Sequence, residues 1–96
     1  MTEIILDGSA VKNMDDVHNI FINALSLPSW YGRNLDALYD CLTCITEETT
    51  VTLMNLSLLE AAAGSKWPAL LRMLYDAAEE NHRVTVKEIN DGDNGE

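Results

Sequence analysis

Three segments with the composition of β-strands alternate along this chain with segments of helical periodicity, and this alternation restricts the fold more than any other feature. The strand-like segments read EIILDG at residues 3–8, TTVTLMNL at 49–56 and RVTVKEI at 83–89. Strands that are joined through helices need crossover connections, which place the strands parallel in one sheet and the helices against it. The sequence therefore predicts an α/β domain with a three-stranded parallel sheet.

About four α-helices are predicted between the strands, and their ends carry typical capping residues. Asn13 is suited to the N-cap of the first helix, and Ser57 opens the capping-box pattern SLLE of the third. Gly64 is placed to end that helix, Pro68 suits the first turn of the fourth, and Asn81 can close it. The second helix is predicted over about residues 34–44.

The charge balance excludes several classes of partner. Sixteen acidic residues against six basic residues leave a net charge of −10, which repels nucleic acid and anionic membranes and attracts a basic protein. The N-terminal MTEIILDG has neither the basic start nor the long apolar stretch of a signal peptide. We therefore expect one cytoplasmic domain over residues 1–89, followed by an acidic flexible tail at 90–96.

The second predicted helix carries two carboxylates on one face. At 100° per residue, Asp36 and Asp40 share that face with Tyr39 and Thr43, while leucines occupy the opposite face. Like charges four residues apart cost a helix roughly 0.2–0.5 kcal/mol. Asp36 lies in the first turn, where the helix dipole favours a negative charge, but Asp40 lies beyond it. The pair is either an ordinary solvated face or part of a binding surface.

Aromatic residues precede this helix directly. The loop PSWYG places Trp30 and Tyr31 next to the carboxylates. Aromatic side chains around charged groups are typical of protein-binding hot spots. For Trp30, packing into the core is the competing interpretation.

The stretch WYGRNLDALYDCLTC at residues 30–44, preceded by LSLP, resembles the signature of the barstar family. These proteins are intracellular inhibitors of secreted guanyl-specific ribonucleases of the barnase type. Outside the signature the resemblance is weaker, but it extends through most of the chain and includes His18. It implies the same three-stranded parallel sheet packed by helices that the strand and helix pattern predicts.

The resemblance implies a role for particular residues, because in this family the second helix and its preceding loop plug the ribonuclease active site. Asp40 would mimic the substrate phosphate, and Asp36 would support it. Trp30 matches an interfacial tyrosine, Thr43 a contact residue at the helix end, and Asp76 an acidic contact residue on the last helix. The predicted partner-binding set is Trp30, Tyr31, Asn34, Asp36, Tyr39, Asp40, Thr43, Cys44 and Asp76.

Several positions depart from the familiar pattern of the family. Tyr39 and Ile45 stand where the family has tryptophan, and Cys44 stands where it has glycine. Arg33 replaces an acidic residue, and Asp76 is one methylene shorter than the usual glutamate. These departures bear on which ribonuclease is recognised.

The spacing of Cys41 and Cys44 suggests a redox pair, but other features oppose that interpretation. Redox CxxC motifs place a thiol at a helix N-terminus, where its pKa falls, whereas this pair lies near a predicted C-terminus. Two thiols alone do not complete a zinc site, and neither His18 nor His82 has ligand-like spacing to them. No metal or cofactor is predicted.

Two further metal interpretations are disfavoured. The final DGDNGE resembles a calcium loop but lacks the spacing of one. Asp7 stands at the carboxyl end of a strand, where a magnesium or small-ligand site could lie, although an Asp-Gly turn explains it more simply.

The sequence thus predicts an inhibitor and not an enzyme. It would bind one basic extracellular or toxin ribonuclease in a one-to-one complex, and it would be a monomer when free. The alternative is an acidic interaction module whose partner is not a ribonuclease.

Overall fold

A computed structural model describes residues 1–89 of the chain; the predicted tail at 90–96 lies outside these residues. The elements follow in the order β1 (Thr2–Asp7), α1 (Met14–Leu25), α2 (Leu35–Thr43), β2 (Thr49–Met54), α3 (Leu56–Ala63), a 3-10 helix (Gly64–Lys66), α4 (Trp67–Glu80) and β3 (Val84–Glu88).

The three strands form one parallel sheet in the order β1-β2-β3, so the predicted α/β class and the parallel sheet are confirmed. Ile4 and Leu6 of β1 are buried and pair with Val51 and Leu53 of β2. Residues that alternate with these, such as Glu3, point to the opposite, exposed face of the sheet. One face of β1 is therefore covered by protein and the other is solvated.

The helices build a core on the covered face of the sheet. α1 lies against β1, α4 lies against β3, and α2 packs against α4. The fully buried side chains include Phe21 of α1, Leu38 and Leu42 of α2, and Leu70 and Leu74 of α4. Burying a side chain of this kind contributes about 1.5–3 kcal/mol each. α2 is therefore held to the domain mainly through its two central leucines.

The described residues contain four α-helices, and α3 and α4 are not separated by an irregular loop. The 3-10 helix Gly64–Lys66 joins the end of α3 directly to the start of α4. Gly64 has φ 61°, a left-handed value that glycine adopts without a steric penalty, and it ends α3 as predicted.

The capping box predicted at SLLE is wrong. α3 begins at Leu56, so Ser57 lies inside the first turn and Asn55 takes the N-cap position with φ 51°. Asparagine tolerates this left-handed conformation, and its side-chain amide donates a hydrogen bond of 2.6 Å to the Asp7 carboxylate. Because Asn55, after β2, is held by Asp7 at the end of β1, α3 begins earlier in the sequence than the capping box predicts.

The first prediction concerns Gly8, which follows β1 and packs against the start of α3. A Cβ at this position would lie 2.4 Å from the Asn55 carbonyl oxygen and 2.4 Å from the Leu59 amide nitrogen. Because both are backbone atoms, Gly8→Ala should lower the free energy of unfolding by about 3 kcal/mol. Gly32→Ala is the control, because Gly32 does not have a left-handed φ and a Cβ there would approach no atom more closely than the Asn34 side-chain nitrogen at 3.0 Å, so it should change the free energy of unfolding by no more than about 1 kcal/mol.

Urea unfolding of both variants measures this difference, with the slope against denaturant compared to confirm that only stability has changed. Equal losses in the two variants would show that β1 and α3 can separate at little cost, contrary to the packing.

Candidate functional site

The exposed face of α2 carries its two carboxylates. Asp36 and Asp40 are exposed, whereas Tyr39 and Thr43 between and beyond them are half-buried. The opposite face is anchored in the core, with Leu38 fully buried. The division between an acidic face and a core face that the sequence predicts is therefore the one observed.

The N-terminus of α2 is capped by Asn34. Its side-chain oxygen accepts a hydrogen bond of 2.8 Å from the Ala37 amide, and its side-chain nitrogen donates to the Gly32 carbonyl at 3.3 Å. Asn34, a predicted partner-binding residue, therefore has a structural role as the N-cap of α2. The cap joins the preceding loop to the helix that displays the carboxylates.

The C-terminus of α2 is held by a residue from another element. The Asn81 side-chain amide, at the end of α4, donates hydrogen bonds of 3.0 Å to the carbonyls of Leu42 and Ile45. The Thr43 hydroxyl donates to the Asp40 carbonyl at 3.1 Å. The contact of Asn81 with α2 was not predicted, because the sequence indicated only that this residue could end its own helix.

The two aromatic residues of the loop before α2 take opposite positions. Trp30 is 83% exposed, so the interpretation that it packs into the core is wrong. Tyr31 is only 7% exposed, and its hydroxyl lies 2.8 Å from Nδ1 of the buried His18 on α1. Tyr31 therefore anchors the loop and leaves little of its ring for a partner, while Trp30 offers most of its surface.

Two open depressions flank α2 and bring most of the predicted residues together. The loop-side cleft lies between the loop and the end of α2, and it is lined by Pro28, Trp30, Tyr31, Gly32, Ala37, Asp40, Cys41 and Cys44. The α4-side cleft lies between α2 and α4, and it is lined by Leu35, Asp36, Tyr39, Ala69, Arg72, Met73 and Asp76. Of the predicted set, only Asn34 and Thr43 line neither cleft.

Two arginines lie close to the acidic face. The Arg33 guanidinium lies 3.2 Å from the Asp15 carboxylate of α1 and also donates to Asn19. Arg72 stands among the acidic residues of the α4-side cleft, and the sequence analysis missed it. Its position four residues before Asp76 on one helix could have indicated it, because such residues share a helix face. The surface is therefore acidic but includes at least one cation within a cleft.

Burial and neighbouring charges shift three pKa values around α2. Burial chiefly lowers the pKa of His18, helped by the Arg33 charge and opposed by Asp15. Burial chiefly raises the pKa of Tyr31, to about 12. Burial, followed by the neighbouring Cys44 and Asp40, raises the pKa of the Cys41 thiol. The Cys41 thiol is therefore mostly protonated near neutral pH.

Asp7, the residue of the magnesium interpretation, has hydrogen bonds within its own turn. One carboxylate oxygen accepts from the Ser9 amide at 2.9 Å, from the Ser9 hydroxyl at 2.8 Å and from Asn55. The Asn55 bond, followed by those from Ser9, lowers the pKa of Asp7. These bonds match the Asp-Gly turn interpretation.

Residues 1–89 contain no group of three or more His, Cys, Asp or Glu side chains arranged to hold a metal ion. Within the same residues, no helix is both long and apolar enough to span a membrane. The predicted calcium-like segment lies outside this described part of the chain.

Comparison with known proteins adds two findings. Residues 1–89 match the sequence model of the family described as "Barstar (barnase inhibitor)". A protein of Bacillus subtilis (strain 168), named "Putative ribonuclease inhibitor YrdF", is 37% identical to this chain over 81 residues. That alignment covers 83% of this chain and 89% of the relative. The matched range includes the loop before α2, α2 itself and α4.

The second prediction concerns the buried His18, which supports the loop through Tyr31. Because its pKa is lowered in the folded chain, the unfolded chain binds more protons below the ordinary histidine value of 6.5. The free energy of unfolding should therefore fall as the pH is lowered through that value. It should stop falling from this cause below the folded-state pKa.

Urea unfolding between about pH 8 and pH 5 tests this, because ordinary carboxyl groups titrate below that range. His18→Gln should reduce the pH dependence, and His82→Gln, which removes an exposed histidine, should retain it. An unchanged dependence in His18→Gln would contradict the assignment.

Proposed function

The chain belongs to the barstar family, and on that premise we propose that it inhibits a basic ribonuclease of the barnase type by covering its active site with α2 and the loop before it. The observation that carries this proposal is the set of exposed carboxylates, Asp36, Asp40 and Asp76, displayed around α2 next to the exposed Trp30. A net charge of −10 adds long-range attraction to a basic partner.

The proposed chemistry is imitation of a nucleic-acid phosphate. An active site that binds RNA holds the phosphate through cationic side chains, and a carboxylate can accept the same charge-assisted hydrogen bonds. We assign that position to Asp40, with Asp36 supporting it one helical turn earlier. The repulsion between the two carboxylates costs the free helix only roughly 0.2–0.5 kcal/mol, and it is relieved when cations of a partner lie against them.

Rigid presentation supports this assignment. Asn34 caps the start of α2, Asn81 holds its end, and Leu38 and Leu42 fix it in the core. Such a helix loses little conformational freedom when it binds, so more of the interaction energy contributes to affinity. The Tyr31–His18 contact fixes the adjacent loop in the same way.

Trp30 is the proposed aromatic anchor of the complex. Tryptophan is enriched among the residues that dominate protein interfaces, and this one has most of its surface available. Tyr39, Thr43 and Cys44 would extend the contact along α2, and Asp76 would extend it across the α4-side cleft. Tyr31 and Asn34 would contribute mainly by positioning the loop and the helix.

In this proposal the protein is a monomer in the cytoplasm and acts as an inhibitor and not as an enzyme. Its target is either an exported ribonuclease or a ribonuclease toxin, and one inhibitor binds one enzyme. No cofactor takes part. The function is protection of the cell that makes the ribonuclease.

A second candidate is an acidic interaction module whose partner is not a ribonuclease. Arg72 favours it, because a cation among the carboxylates of the α4-side cleft suits a partner of mixed charge better than a purely basic one. In that case the partner would bind without any loss of ribonuclease activity.

The experiment that tests the proposal is a titration of a barnase-type ribonuclease with this protein while RNA cleavage is followed. Activity should fall linearly and reach zero at one equivalent. Tight binding without loss of cleavage would favour the second candidate. Absence of binding would defeat the proposed target class, and a pull-down of basic proteins with the immobilised chain would then identify another partner.

The third prediction compares two single acidic residues. Asp40→Ala should raise the Kd of the complex at least about thirtyfold, because it leaves the opposing cations buried without a partner. Glu3→Ala removes the same charge from the outer face of the sheet and should change the Kd by no more than about twofold. Both variants should keep the circular dichroism spectrum of the parent. Similar losses in both would refute the placement of the interface on α2.

The fourth prediction concerns the rate of association. Since attraction between the acidic chain and a basic enzyme is long-range, the association rate constant should fall at least about tenfold between low and high salt. The dissociation rate constant should change much less, because close contacts are poorly screened. Stopped-flow fluorescence at several ionic strengths measures both. An association rate that is independent of salt would rule out electrostatic steering.

A further inference from the structure

We propose that Arg72 is a specificity-determining residue that binds a carboxylate of the target ribonuclease at the α4-side cleft. The chain therefore selects an enzyme in which an acidic side chain lies beside the cations of the active site. This inference rests on the proposed function, to which it adds the charge pattern of the partner.

Arg72 differs from the other two arginines of the chain because it lacks an ion pair. The Arg33 guanidinium lies 3.2 Å from the Asp15 carboxylate, and the Arg83 guanidinium lies 3.8 Å from that of Glu48. Within residues 1–89, Arg72 is exposed and forms no ion pair. Its positive charge is therefore available to a partner.

Two carboxylates line the α4-side cleft together with Arg72 but form no ion pair with it. Asp36 lies on α2, and Asp76 follows Arg72 by about one turn on α4. A base that precedes an acid by four residues is the less favourable order for an ion pair on a helix. The other residues that line this cleft are largely apolar, namely Leu35, Tyr39, Ala69 and Met73.

A partner that covers the cleft removes water from the Arg72 guanidinium. A charge that is buried without an opposite charge or an acceptor weakens binding, so the partner has to supply a group that Arg72 can bind. A carboxylate suits this position best, because it can accept two parallel hydrogen bonds from one guanidinium. A lysine or arginine of the partner at the same point would meet repulsion and would leave Arg72 unpaired.

The charge of the whole chain favours a protein carboxylate over an RNA phosphate as the group that Arg72 binds. A net charge of −10 repels a polyanion such as RNA. A ribonuclease that is basic overall is still attracted, and it can bring cations to Asp40 and one acidic side chain to Arg72 on the same surface. The two ends of the acidic face thus require opposite charges from the partner.

The first measurement uses the free protein and tests whether Arg72 is unpaired in solution. NMR relaxation of the arginine Nε–H groups should show a more mobile Arg72 side chain than that of Arg33, which is bound to Asp15 and Asn19. Asp76→Asn should leave the mobility of Arg72 unchanged. An Arg72 that is as ordered as Arg33, or that becomes mobile only in Asp76→Asn, already has an internal partner and would overturn the proposal.

The second measurement searches for the matching position on a barnase-type ribonuclease. Exposed residues around its active site, other than those that take part in the reaction, are replaced one at a time by glutamate, and exposed acids there are replaced by glutamine. At one position, an acid should lower the Kd of the parent chain at least about tenfold relative to an uncharged residue. Long-range attraction cannot cause this gain, because an added acid makes the enzyme less basic.

Charge reversal of Arg72 should reverse this preference. With Arg72→Glu, the acid at that position should raise the Kd at least about tenfold. Lys87→Glu is the matched control, because it makes the same change of charge on an exposed residue of β3, on the outer face of the sheet. Lys87→Glu should keep the preference of the parent chain, and both variants should keep its circular dichroism spectrum.

The outcomes separate this inference from the proposed function. Inhibition without any position that prefers an acid, or with the same preference in Arg72→Glu, would refute the inference alone. Failure of the parent and of Arg72→Glu to inhibit every enzyme variant would refute the proposed function and this inference with it. Binding of a short RNA oligonucleotide that is lost in Arg72→Glu but retained in Lys87→Glu would assign Arg72 to RNA and would also overturn the proposal.

Discussion

The position of α2 depends on its attachment at three places, and the remainder of the candidate site follows from that attachment. Leu38 and Leu42 bury its inner face, Asn34 caps its start, and the Asn81 amide binds the carbonyls at its end. The last of these bonds links the end of α4 to the end of α2. An acidic helix held in this way can present its carboxylates in one fixed geometry, which a mobile segment cannot do.

The acidic surface combines attraction with selectivity. Asp36, Asp40 and Asp76 are exposed around two clefts, while Arg33 is paired with Asp15 on α1. Arg72 remains inside the α4-side cleft and would oppose a uniformly basic partner surface. A surface that carries mostly one sign of charge speeds the encounter with a partner of the opposite sign. A charge of the other sign within that surface weakens the binding of any partner that places a like charge against it. Among the departures from the family pattern, Tyr39, Cys44 and Asp76 line the two clefts, where they can alter the choice of partner.

The sequence predicted the parallel sheet, the approximate helices and the acidic face, because each depends on local periodicity and on general rules for strand connections. It did not predict that Asn55 would take the N-cap of α3, since that assignment depends on a hydrogen bond to Asp7, which is 48 residues distant in sequence. It also did not separate the roles of Trp30 and Tyr31. Two adjacent aromatic residues cannot be told apart by composition, and it is a contact with another element, that of the Tyr31 hydroxyl with His18 on α1, which accompanies the burial of Tyr31.

By itself, the sequence determined the α/β class, the order of the elements, the net charge and the alternation of Asp36 and Asp40 with the leucines of α2. These properties follow from residue identity and from spacing along the chain, which are local quantities. The tertiary structure alone decided that Asn81 holds α2, that Trp30 is exposed, that Arg72 enters the α4-side cleft and that Cys41 and Cys44 share a cleft wall with Asp40. Each of these depends on contacts between elements, and such contacts are set by how the helices pack on the sheet.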